Sequence, residues 1–122
     1  MAWDDATAQQ LAGEVEADIV VRAPGRPDVR TPIWVVAVDG DLFVRSWKGT
    51  GGLWYRRALR AGAGSLVDAG GRVHPVRFTA AGDPGLNDRV DEAYRAKYGA
   101  STYSKAMTEP PATETTMRVD PA

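Results

Sequence analysis

The 122-residue sequence contains no cysteine. Disulfides, thiolate metal sites and a cysteine nucleophile are therefore excluded, and the composition fits a reducing cytoplasm. A single histidine, His74, cannot build a His-based metal cluster or dyad alone, and beside Pro75 it reads as a surface or satisfied strand residue. No serine stands in a nucleophile-elbow context, so no Ser-His-Asp triad is indicated. Excess charge is missing too: fifteen Lys plus Arg against sixteen Asp plus Glu leave a net charge of −1. That offers no global pull toward nucleic acid or an anionic membrane. No apolar run approaches the roughly 20 residues of a membrane-spanning helix, and Ala2-Trp3-Asp4-Asp5 is acidic where a secretory leader would be basic. A cytoplasmic protein with neither a nucleic-acid nor a membrane partner is expected.

What is present suits one folded domain over residues 1–122, since 43% apolar and 25% charged residues are ordinary for a globular chain. Asp4 and Asp5 precede a short helix ending at Gly13, expected as a peripheral lid. Ala17, Ile19 and Val21 alternate with polar residues as in a strand. After the loop Ala23–Asp28, the run Ile33–Val38 is apolar at both parities. It reads as one strand covered on both faces and central in its sheet. Asp39-Gly40-Asp41 signals a hairpin into Leu42–Ser46.

Leu53–Ala61 is an amphipathic helix stopped by Gly62. Ser65–Asp68 and Val73–Thr79 form a hairpin about Gly70-Gly71, with Pro75 marking an edge or bulge. Asp83-Pro84 opens, and Gly99 closes, a helix whose buried face is Leu86, Val90, Ala93, Tyr94 and Tyr98, with Asp91 and Arg95 paired outside. Ala100–Thr113 reads as loop and Thr115–Val119 as a last strand. The sum is an α+β, mainly β domain: six antiparallel strands, two to three helices, and closure toward a small barrel to remove sheet edges.

Chemistry concentrates in Ser46-Trp47-Lys48-Gly49-Thr50-Gly51-Gly52-Leu53-Trp54-Tyr55. Two hydroxyls, an ammonium, amides at a helix start and aromatic rings could cradle a phosphorylated aromatic ligand. The Walker spacing is absent, and on residue chemistry alone a glycine-rich strand-to-helix connection is more often a plain turn than a phosphate site. Trp54 suits core and Trp47 a pocket rim. The arginines at 22, 26, 30, 56, 57 and 60, and the carboxylates Asp4-Asp5 and Asp88 with Glu92, read as solvated or capping groups.

The words Arg30-Thr31-Pro32, Leu42–Ser46, Gly49–Tyr55 and Asp91-Glu92-Ala93-Tyr94, in this order, resemble the split β-barrel flavoprotein superfamily. The likeness spans about Val15 to Val119. It is nearest an uncharacterised bacterial family of that superfamily, and more distant from deazaflavin (F420)-dependent nitroreductases and quinone reductases. The resemblance implies a six-stranded antiparallel split barrel, often a homodimer, holding the phosphate of FMN or F420 near the barrel mouth. By position, Ser46, Lys48, Gly49, Thr50 and Gly51 would hold phosphate. Arg30 and Thr31 would add polar contacts, Trp47 would border the ring, and Trp54 and Tyr55 match the Trp-Tyr that opens the helix. Tyr103 would cover the pocket. Where the deazaflavin enzymes carry a Gly-Arg-Lys-Ser-Gly type loop and an asparagine after the Trp-Tyr pair, this chain has Pro24–Asp28 and Arg57. The competing expectation is a ligand-binding or structural barrel that has lost the cofactor.

Overall fold

The computed structural model describes residues 2–122. Among these residues seven strands make one antiparallel sheet: β1 Ala17–Val20, β2 Arg30–Ile33, β3 Val36–Val38, β4 Asp41–Val44, β5 Ala63–Val67, β6 Val73–Ala80 and β7 Met117–Pro121. Their spatial order is β2-β1-β5-β6-β7-β4-β3. The helices are α1 Asp5–Gly13, α2 Leu53–Ala61, α3 Pro84–Tyr98 and α4 Ser104–Met107, with single 3-10 turns at Gly49–Gly51 and Ala112–Thr115.

The strand order forces the sheet to curl. β2 and β3 lie at opposite edges yet are joined by Trp34 and Val35 alone. Three Cα steps reach at most about 11 Å, whereas the edges of a flat seven-stranded sheet stand roughly 29 Å apart. The result is a half-barrel, split between β2 and β3.

This geometry corrects the expected six strands. Ile33–Val38 is not one central strand but the end of β2, a corner, and β3, one at each edge. Its two parities are apolar because two cores take alternate side chains: Ile33 and Val35 enter the cluster under α1 and α2, while Trp34, Val36 and Val38 enter the cluster under α3. Coverage on both faces was legible, but position in the sheet was not. The carbonyls freed at the corner are satisfied from α3, by Tyr94 Oη donating to Trp34 O at 2.8 Å and Lys97 Nζ to Val35 O at 2.5 Å. Trp34 stacks on Tyr98 at 3.9 Å between ring centroids.

The hairpin at Asp39-Gly40 has both central residues at positive φ, 53° and 84°, as a two-residue type I′ connection requires. β6 is interior rather than an edge; Pro75 is tolerated because it lies just past the last β6–β7 pair, Val76 with Pro121, where its carbonyl accepts from Ala122 N. α3 starts at Asp83, whose carboxylate accepts from Leu86 N at 2.9 Å. Ala100–Thr113, expected as loop, contributes α4 and buries Ser104, Met107 and Ala112, which brings the helices to four. His74 is buried, its Nε2 2.9 Å from Asp68 Oδ2.

Candidate functional site

Where the barrel is split, a cleft of about 600 Å³ opens between β2 and the segment leaving β4. One wall is Val29, Thr31, Pro32, Ile33 and Trp34. The facing wall is Arg45, Ser46, Trp47 and Lys48, followed by Gly52, Leu53 and Trp54 at the start of α2; Tyr103 and Met107 close the third side. Its size and mainly apolar lining, with a few polar groups converging, are those of a small-molecule site.

Each polar group is placed by local structure. At the end of β4 the alternation puts Leu42 and Val44 in the inner core and Phe43 toward α3, so Arg45 also turns toward α3. The chain then bends through Gly49, whose N donates to Ser46 O at 2.9 Å, and α2 begins at Leu53, just after Gly52. α2 has no side-chain cap at its N-terminus, which leaves backbone donors and the positive end of its dipole at the cleft. Lys48 is exposed and forms no ion pair among the described residues. Trp47 and Tyr103 are 57% and 62% exposed and stand edge to face at the mouth, 6.5 Å between centroids. Large rings left this open beside a cavity mark a surface shaped for contact.

Of the residues singled out from sequence, the cleft gathers Thr31, Ser46, Trp47, Lys48 and Trp54. Arg30 lies elsewhere on the surface, paired with Asp18 at 2.8 Å. Gly49 is buried against Pro111, Thr50 and Gly51 are exposed away from the lining, and Tyr55 is core, its hydroxyl pKa raised by burial. Arg57 donates to the carbonyls of Val21 and Pro27, tying α2 to the loop before β2.

Arg45 is the residue that sequence reasoning passed over. It is 1% exposed. Its Nε donates to Thr116 Oγ1, Nη1 to Asp91 Oδ1 and Met107 O, and Nη2 to Asn87 O and Oδ1. Asp91 thus pairs with Arg45, not outward with Arg95. Tyr94 lies 5.5 Å beneath the guanidinium, its own pKa pushed well up by burial. The available signal was parity: an arginine two residues after Phe43 falls on the same side of the chain, and an arginine buried there has to be fully partnered.

A model of one protein family, described as an uncharacterized protein conserved in bacteria, matches residues 8–119. The chain belongs to that family, DUF2255. Among solved structures, the DUF2255 chain is similar to a conserved hypothetical protein, Rv2991 from Mycobacterium tuberculosis. The likeness has a TM-score of 0.65 at 12% identity and covers 98% of this chain and 79% of that one. At that identity the likeness is one of fold. No curated protein matches in sequence. No helix among the described residues is long and apolar enough to cross a membrane.

Proposed function

We propose that this DUF2255 chain binds a phosphorylated planar cofactor, FMN or the deazaflavin F420, in the cleft at the barrel split. The observation that supports this most is the mouth: two exposed rings, Trp47 and Tyr103, beside Lys48, which has no ion pair among the described residues, and the start of α2, which has no side-chain cap, over an apolar interior. The donor set fits such a group: Lys48 and Ser46 with the first amides of α2 for a phosphate, Thr31 for a polar ring edge, Trp47 and Tyr103 for its faces. Bound there, the group would supply hydride or electron transfer, and the protein its position and surroundings. A small oxidoreductase, working as a homodimer, follows from the split-barrel resemblance.

One observation favours the rival, a barrel that binds ligands without catalysis. Among the described residues no histidine or carboxylate lines the cleft, its one lining arginine, Arg45, is paired with Asp91, and Arg30 and Arg57 are engaged with Asp18 and with backbone carbonyls. Titration of the protein with FMN and with F420, followed by ligand fluorescence, separates the two. Micromolar binding that weakens about tenfold or more in Lys48→Ala agrees with the proposal. Absence of binding by both removes it and leaves the rival.

A further inference from the structure

A guanidinium on the wall of a cleft is ordinarily the first group to assign to a ligand's anion. Arg45 does not fit that role. A guanidinium has five N–H donors, and five acceptors are already in place: Thr116 Oγ1 at 2.9 Å, Asp91 Oδ1 at 2.5 Å, Met107 O at 2.9 Å, and Asn87 O and Oδ1, each at 3.2 Å. Its charge is met by the Asp91 carboxylate and the face of Tyr94.

The partners come from three separate segments of the chain. Asn87 and Asp91 lie on α3, Met107 ends α4, and Thr116 precedes β7. The link to Met107 is to a backbone carbonyl, so it fixes the path of α4 rather than one side chain. α4 is only four residues long and follows directly on Tyr103. A helix of one turn has little stability of its own, and its position depends on what holds it.

We infer that Arg45 is a positioning residue that clasps α4 to β4 and thereby holds Tyr103 against Trp47 as the third wall of the cleft. It acts on the ligand through that wall and not by contact. The binding half of this inference rests on the proposed function; the clasp itself does not.

Two measurements on Arg45→Lys decide it, because lysine keeps a charge for Asp91 but loses the fork to Met107 and Asn87. Without ligand, hydrogen exchange at the amides of residues 104–107 rises while that of α1 is unchanged. Unchanged exchange in α4 overturns the clasp. With FMN as probe, Arg45→Lys weakens binding about tenfold in the wild-type background and leaves it unaltered in a Tyr103→Ala background. An equal further loss on top of Tyr103→Ala means that Arg45 meets the ligand itself, and overturns the positioning role. If the wild-type protein fails to bind FMN, the FMN reading falls, while the exchange experiment still decides the clasp. Should Arg45→Lys not fold, the double variant Arg45→Met with Asp91→Asn removes the donor to Met107 O without leaving a buried carboxylate unpaired; faster exchange at residues 104–107 then supports the clasp and unchanged exchange overturns it.

Discussion

Gly49 sits at φ +68°, and a Cβ there would come within 2.6 Å of Pro111 Cβ. In the sequence it reads as part of a phosphate cradle; in the structure its conformation and its packing against Pro111, just before the Ala112–Thr115 turn, already require a glycine. Gly49→Ala is expected to cost about 2 kcal/mol in urea unfolding, from backbone strain and overlap together. The sequence left His74 open between a surface and a satisfied strand residue; the structure buries it against Asp68. The hairpin turn that joins them gives no pattern showing that Gln10 of α1 also donates to Asp68, at 3.0 Å. Bonding to His74, first, and to Arg72 N holds the Asp68 carboxyl below its ordinary value of 3.8. A lowered carboxylate stabilises the fold fully above the unfolded pKa, and that contribution is lost as pH falls through the folded one. Asp68→Asn should therefore flatten the fall of stability below about pH 4 in an acid titration followed by circular dichroism.

Among the elements, α3 is the one the sequence specifies best, since its cap, its stop and its apolar face are all local signals. Asp83→Ala removes the bond to Leu86 N and should lower stability by about 1 kcal/mol in chemical denaturation. What α3 covers was less legible. Tyr94 and Lys97 donate to carbonyls at Trp34 and Val35, contacts about sixty residues apart that no periodicity encodes. For the same reason Ile33–Val38 looks like one strand: an apolar run records that both sides are covered and says nothing of a corner within it. Ala100–Thr113 looks like loop because α4 is one turn long and owes its place to Met107 O on Arg45, a partner far off in sequence.

At the scale of the whole molecule, the two-residue link between opposite edges curls the sheet, and the cleft lies where the curl stays open. The central stretch identified from sequence supplies one wall of that cleft. The other walls come from β2 and from Tyr103 and Met107, brought in by topology. The proposed homodimer predicts a light-scattering mass twice that of the chain; a mass equal to one chain would remove it. The cleft claim is tested most directly by comparing FMN with riboflavin, which carries the same rings without the phosphate, in wild-type protein and Lys48→Ala. FMN is expected to bind at least about tenfold more tightly than riboflavin, and Lys48→Ala to erase the difference while leaving riboflavin binding unchanged. Equal affinity for the two ligands in the wild-type protein, or a preference for FMN that survives Lys48→Ala, would contradict it.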